Sequence, residues 1–232
     1  MKFAIISAGE GSRLAQEGIT LPKPLVRIQG TPIIERLVKL FCRHGAESVN
    51  IVINSKQPET LALLEELNKQ FPINIVVKDT PSSMHSLYEL SPLLRGGTFC
   101  LTTVDTIFRE EDFARYLAML EHKDNDGVMA VTPFIDDEKP LYVGTDDTDD
   151  ITGFHDEWNA QCKYISGGIY GLSEKALDTL KRCIDSGQSR MRNFQRQLIA
   201  DGLRLKACPF DKIVDIDHAS DIEVAEKFLC KE

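Results

Sequence analysis

Residues 1–25 read MKFAIISAGEGSRLAQEGITLPKPL. The short apolar run Phe3 to Ile6 has the content of a strand and breaks at Ser7-Ala8 into a loop carrying Gly9 and Gly11. Two cations follow, Arg13 and then Lys23, the second held between Pro22 and Pro24. Glycines let backbone N–H groups approach an anion closely, and a helix starting just beyond them adds the positive end of its dipole. A strand, a glycine loop and two cations in this order point to a polyphosphate.

Two common phosphate loops are excluded. A P-loop needs Gly, four residues and then Gly-Lys-Ser/Thr, and nothing in this stretch fits. A dinucleotide fingerprint needs a third glycine three positions after the second, where this chain has Leu14.

Outward from the loop, apolar runs alternate with helical spacing. Strands are expected at Phe3–Ile6, Val49–Ile53, Ile73–Val77, Thr98–Val104 and Val128–Val131. Helices are expected over Ile33 to Phe41 (Thr31 as cap, Pro32 in the first turn), Glu59–Gln70, Ser86–Leu94 and Glu110–Glu121. The second half is less regular: strand-like pieces at Cys162–Tyr170 and Arg204–Pro209, helical patterns at Glu174–Ile184 and Met191–Ala200, and a closing helix at Ala219–Leu229. Continuous Ile/Val runs joined by crossover helices predict an α/β fold with a mostly parallel, Rossmann-like open sheet and helices on both faces. Its ligands are expected beyond the carboxyl ends of the strands, where both the glycine loop and Asp105 fall. With 232 residues and no repeat or linker, the reading is one domain over the whole chain.

Composition removes several function classes. A net charge of −9 argues against nucleic acid or an anionic membrane as partner, so an anionic ligand must be drawn in by local cations. No run approaches the roughly 18 apolar residues of a membrane span, and the N-terminus does not read as a signal peptide, so a cytoplasmic location is expected. The six cysteines are scattered with no C-x-x-C pair and read as reduced core thiols. The acidic stretches Asp136-Asp137-Glu138 and Asp146-Asp147-Thr148-Asp149-Asp150 read as solvated loops.

Asp105, ending the apolar run TFCLTTVD, is placed to hold a hard cation at the ligand edge. Mg²⁺ takes one or two protein carboxylates and completes its shell with phosphate oxygens and water. Val214-Asp215-Ile216-Asp217 offers a second carboxylate, since alternation in a strand puts Asp215 and Asp217 on one face. The competing reading is an exposed strand face with Asp217 or Ser220 capping the last helix.

The pair A-G-x-G-S-R (Ala8–Arg13) and L-P-K-P-L (Leu21–Leu25) resembles the signature of nucleotidyltransferases that activate sugar 1-phosphates and similar phosphorylated alcohols. The resemblance implies a nucleotide-diphospho-sugar transferase-like fold. It also implies attack of a phosphate monoester on an NTP with release of pyrophosphate, with Mg²⁺ as cofactor. Its partners are then an NTP and a small phosphorylated acceptor, with self-association into a homo-oligomer left open. Arg13 and Lys23 take the catalytic roles; Ala8, Gly9, Gly11 and Ser12 take the phosphates; Asp105 with Asp217 and Asp215, unranked, take the metal. The late motif V-D-I-D-H-A-S-D-I looks closest to the phosphocholine-type cytidylyltransferases. The segment Pro81–Leu87, with Ser82, Ser83 and Ser86, is similar to the family's base- and ribose-supporting segment. Tyr164–Tyr170, with Gly167, Gly168 and Tyr170, resembles the N-x-G-I-Y stretch that approaches the acceptor.

One departure stands out. Sugar-phosphate members carry an E-K-P triplet shortly before that stretch, and its lysine binds the acceptor phosphate. Here residues 153–159 read GFHDEWN. Lys163, or Arg190 and Arg192, must substitute, or the acceptor is not a hexose 1-phosphate. Trp158 is a candidate stacking surface for a choline-like head group. Two readings from other classes remain: a metal-dependent glycosyltransferase, which would typically show D-x-D after the central strand, and an inactive nucleotide-binding regulatory domain. A guanylyl transfer of the molybdenum-cofactor type fits L-P-K-P-L less well than the sugar-nucleotide branch does.

Overall fold

In the computed structural model the chain is described over residues 1–9, 11–122, 124–134 and 139–230. The first half is a βα succession. β1 (Lys2–Ser7) leads through helix α1 (Ser12–Gln16) to a hairpin of β2 (Arg27–Ile28) and β3 (Thr31–Pro32), then to α2 (Ile33–Arg43). β4 (Ser48–Ile53), α3 (Pro58–Leu67), β5 (Ile73–Val77), α4 (Ser83–Leu94) and β6 (Phe99–Thr103) complete it. Then come β7 (Thr106–Ile107), α5 (Glu110–Glu121), β8 (Gly127–Thr132), β9 (Tyr142–Thr145), β10 (Ile151–His155) and β11 (Cys162–Leu172). The chain closes with α6 (Lys175–Asp185), α7 (Met191–Ala200), β12 (Leu205–Pro209), β13 (Val214–Asp215) and α8 (Ala219–Leu229).

Strands β5, β4, β1 and β6 run parallel in that order. β11 adds antiparallel to β6, β8 lies antiparallel on its other edge, and β12 runs parallel to β8. β9 and β10 extend the sheet beside the first half of β11. The result is the expected open, Rossmann-like sheet, with an antiparallel graft on its parallel half.

Both faces of β1 are buried, which is why its sequence is a continuous apolar run rather than an alternating one. Phe3 and Ile5 pack against α2, α3 and α5, while Ala4 and Ile6 face α4 and the α6–α7 side. Phe3 stacks on Phe41 with ring centroids 4.4 Å apart, and Phe113 lies 5.6 Å from Phe41. A third, smaller cluster joins α1, the β2–β3 hairpin and α8 through Leu14, Ile28, Ile33, Val214, Ile216 and Ala225. It clamps the two ends of the chain together beside the carboxyl edge of the sheet.

Four expectations need correction. Thr31 does not cap α2: it pairs in the β2–β3 hairpin, and Pro32 occupies the cap position. β9 and β10 are additional strands, and their short, glycine-bearing sequences YVGT and ITGFH carry little apolar pattern. The last helix is capped at His218, not at Asp217 or Ser220. Asp215 and Asp217 do not alternate along one strand, because β13 ends at Asp215 and the Asp217 N–H turns back to the Asp215 carbonyl at 3.2 Å.

All six cysteines are free; Cys100, Cys162, Cys183 and Cys208 are buried, Cys42 partly so, and Cys230 is exposed. Asp146 accepts the N–H groups of Thr148 and Asp150 at 2.8 and 3.0 Å, so that acidic stretch is a self-satisfied turn. Asp136-Asp137-Glu138 lies outside the described residues. Among the described residues no helix is long and apolar enough to cross a membrane.

Candidate active site

A cleft of about 810 Å³ opens at the carboxyl ends of β1, β4 and β6. The loop after β1 forms one wall. Gly11 has φ +62°, and a Cβ there would stand 3.2 Å from the Lys23 Cβ, so conformation and contact both favour glycine. Two side chains that sequence reading missed hold this loop by its carbonyls. Asn54 donates to Ala8 at 3.0 Å and to Gly9 at 3.4 Å, and Gln57 donates to Gly9 at 3.0 Å. A polar residue ending the apolar run VNIVIN at the ligand edge was the available signal. Ser12 opens α1 directly after the loop.

Lys23 lies in a 3₁₀ turn, Lys23–Leu25, and its amine reaches across the cleft floor. It donates to Asp105 Oδ2 at 2.5 Å and to Asp217 Oδ1 at 2.7 Å, while Arg13 donates to Asp217 Oδ2 at 2.7 Å. Burial opposes the Lys23 charge, but the two carboxylates outweigh it and raise its pKa above the usual lysine value. Asp217 is also partly desolvated, yet Lys23, Arg13 and His218 together hold its carboxyl below the usual range.

Asp215 does not line this cleft; it is exposed to solvent on one side and densely surrounded by protein on its others. That crowding, with the negative charges of Asp105 and Asp217, pushes its carboxyl up to about 8.

The late carboxylates reach this place through a two-residue antiparallel ladder. Asp215 pairs with Thr106 and Val214 with Ile107, and the Ile216 N–H donates to the Asp105 carbonyl at 3.1 Å. Two further acids position them. Asp221 accepts the N–H groups of Asp217 at 2.9 Å and His218 at 2.6 Å. Glu17 contacts His218 Nδ1 and accepts the Ala219 N–H, both at 2.6 Å, tying the end of α1 to the start of α8.

Among the described residues no three His, Cys, Asp or Glu side chains gather into a metal cage. The donor set still fits a hard divalent cation. Asp105 and Asp217 offer oxygens to a single point, and the cleft beside them is roomy enough for phosphate oxygens and water to complete the shell.

Ser82, Ser83 and Ser86 all line the large cleft. Ser82 Oγ lies 2.9 Å from His85 Nδ1 and accepts the Arg190 N–H at 3.3 Å, while buried Ser86 shares a 2.6 Å hydroxyl contact with Thr80.

Gly167 and Gly168 sit at an irregularity in the β11–β8 pairing between Ser166 and Tyr170. Gly167 lines a second, smaller cavity that also borders Thr132, Phe134, Ser166, Asp215 and Asp221. Gly168 has φ +75°, and a Cβ there would lie 2.7 Å from Thr106 Oγ1. Tyr170 is buried, packs with Leu172 in the core and lines neither cavity, yet its hydroxyl is close enough to Asp215 and Asp105 for their charges to add to burial in raising its pKa.

Among the substitutes for the missing lysine, Arg192 is engaged by Asp156 at 2.6 Å and by the Lys139 carbonyl at 3.0 Å. Lys163 is exposed on β11. Trp158 is 65% exposed, with its indole N–H fixed to the Cys162 carbonyl at 3.1 Å.

The profile of a family described as "MobA-like NTP transferase domain" matches residues 3–201. A 2-aminoethylphosphonate cytidylyltransferase of Lancefieldella rimae is 29% identical over 111 residues, covering 46% of this chain and 44% of that protein. A bifunctional IPC transferase and DIPP synthase of Rubrobacter xylanophilus is 24% identical, over 97% of this chain and 51% of that protein. The chain thus spans about half the length of these curated relatives.

Among solved structures, the inositol-1-phosphate CTP transferase from T. maritima superposes with a TM-score of 0.81 at 17% identity, covering 97% of this chain and 95% of that one. The CTP:phosphocholine cytidylyltransferase from Streptococcus pneumoniae gives 0.76 at 17% identity, covering 99% of each. At such identities these likenesses establish the fold.

Proposed function

The chain belongs to the family of MobA-like NTP transferase domains, and from that premise we propose that it joins the nucleoside monophosphate of an NTP to a phosphorylated acceptor, a sugar 1-phosphate foremost, releasing pyrophosphate. The observation that carries this reading is the convergence of Lys23, Arg13, Asp105 and Asp217 beside the glycine loop in one cleft.

An oxygen of the acceptor phosphate forms a bond to the α-phosphorus while the bond from that phosphorus to the bridging oxygen breaks. The electron pair leaves with pyrophosphate. The nucleophile is already an anion at neutral pH, so no general base is needed. The barrier comes from bringing anions together and dispersing charge, which positioning and electrostatics can lower. Loop N–H groups around Gly9 and Gly11 hold the β- and γ-phosphates, Arg13 stabilises the departing pyrophosphate, and Lys23 neutralises the α-phosphate and the incoming acceptor. Asp105 and Asp217 would hold a Mg²⁺ ion, which supplies charge neutralisation to the phosphate oxygens.

A second reading of the acceptor, a phosphoalcohol or phosphonate bearing a cationic group, is favoured by the absent E-K-P lysine. A glycosyltransferase reading loses support because Val104-Asp105-Thr106-Ile107 carries one Asp rather than D-x-D.

The test is a pyrophosphate-release screen of four NTPs against sugar 1-phosphates, phosphocholine and 2-aminoethylphosphonate, with and without Mg²⁺. Metal-dependent release with one pair is expected. Release with none would move the chain to the nucleotide-binding, non-catalytic reading.

A further inference from the structure

We infer that Lys23 and Arg13 close the Asp105–Asp217 carboxylates against a bare divalent cation, so that the cation enters this site only together with the nucleotide. The identity of the opening ligand rests on the nucleotidyl-transfer reading of the cleft; the closure itself rests on geometry. One ammonium sits on both carboxylates, at 2.5 and 2.7 Å, and the remaining Asp217 oxygen is held by Arg13 at 2.7 Å. These are charge-assisted contacts at short range. The Lys23 side chain is only 13% exposed, so water and salt screen it weakly. An incoming cation must therefore displace a positive group from its own ligands and then lie beside it.

A polyphosphate removes both obstacles. It offers anionic oxygens to the displaced ammonium and adds oxygen ligands for the cation at the same time. The fold confines the change to one side chain. Pro22 and Pro24 restrict the backbone on either side of Lys23, leaving its four-carbon stem as the moving part. The Asp217 backbone stays tied to Asp221, and Ile216 to the Asp105 carbonyl, so the carboxylates keep their places while the ammonium leaves. The site then has two states, one filled by Lys23 and one filled by cation and nucleotide. The ammonium released in the second state is the one assigned to the α-phosphate.

The test is equilibrium dialysis with Mn²⁺ as probe. Wild-type protein alone is expected to retain no stoichiometric Mn²⁺ at submillimolar concentration. It should retain one equivalent in the presence of the α,β-methylene analogue of its NTP, found by trying all four bases. Lys23→Met and Lys23→Gln should bind Mn²⁺ without nucleotide, with affinity raised at least about tenfold.

Wild-type protein that binds bare Mn²⁺ as tightly as the variants overturns the closure, as do folded variants that gain nothing. If circular dichroism shows both variants unfolded, the wild-type pair of measurements decides: bare retention overturns the inference, and retention only with nucleotide supports it. A gain in the variants with no retention for any of the four analogues overturns the nucleotide as the opening ligand. That pattern marks failure of the functional reading rather than of the lysine closure.

Discussion

Thr106 pairs with Asp215 across a two-residue antiparallel ladder, and this pairing carries the C-terminal acids to the end of β6 beside Asp105. The ladder is short, but Ile107, Val214 and Ile216 bury it in the cluster that joins α1 to α8. Sheet register here sets the geometry of charge.

Removing either partner of the central ion pair should disable the reaction while the fold survives. Lys23→Ala or Asp105→Asn is expected to lower kcat/KM by roughly 10²–10³ or more, the scale of losing one group that stabilises transition-state charge. Steady-state pyrophosphate release, with circular dichroism as the control for folding, is the measurement. A near-normal kcat in either purified variant would sink the mechanism.

Asp221 acts through Asp217 by holding its N–H and that of His218. Asp221→Ala should cost about 1 kcal/mol of stability by uncapping α8 and should lower kcat about tenfold by loosening Asp217. Asp221→Asn keeps an acceptor oxygen and should restore part of both. Equal activity in Asp221→Ala and wild type would remove Asp221 from the positioning role.

Gly168 and Gly187 share a positive φ, at +75° and +74°, but differ in their surroundings. A Cβ on Gly168 meets Thr106 Oγ1 at 2.7 Å, whereas one on Gly187 meets nothing within 4 Å. Gly187→Ala should cost about 1 kcal/mol from backbone conformation alone, and Gly168→Ala more, up to about 3 kcal/mol. Urea denaturation of the two variants separates the terms, and equal losses would show that the contact relaxes freely.

Asp126 gives a pH-dependent contribution of known sign. Its carboxylate accepts from Lys175 at 2.8 Å and from the Arg204 N–H at 3.0 Å, and these donors hold its pKa below the usual value. A carboxyl lowered in the folded state stabilises the protein above its unfolded pKa of about 3.9, and that stability is lost as pH falls through the folded value. Lys175 is largely exposed, so Asp126→Asn should cost only about 1 kcal/mol at pH 7, with the difference closing below about pH 4. Paired urea titrations at pH 7 and pH 3.5 check it; a constant difference would contradict the assignment.

The parallel half of the sheet was legible because β1, β4 and β6 are buried on both faces and so read as nearly continuous apolar runs, while β5, part-exposed at the sheet edge, still reads as an Ile/Val run. Ile73–Val77, Glu110–Glu121, Met191–Ala200 and Ala219–Leu229 were bounded correctly. β10, at the sheet edge, and β9 beside it escaped because their glycines and threonines carry little apolar pattern. Asn54 and Gln57 escaped because their work is done on carbonyls about 45 positions away.

By itself the sequence determined the strand, the glycine loop and the chemical types at the cleft: two cations, and carboxylates near strand ends. Local pattern suffices for these, since periodicity and residue chemistry act over a few positions. Tertiary structure alone decided which charges meet. Lys23 reaches Asp105 across 82 positions and Asp217 across 194, a closure that depends on the β7–β13 ladder and the packing of α8. It also turned Tyr170 into the core and left Gly167 at the smaller cavity: alternation sets the two on opposite faces of β11, but only the packing of the helices decides which face is which.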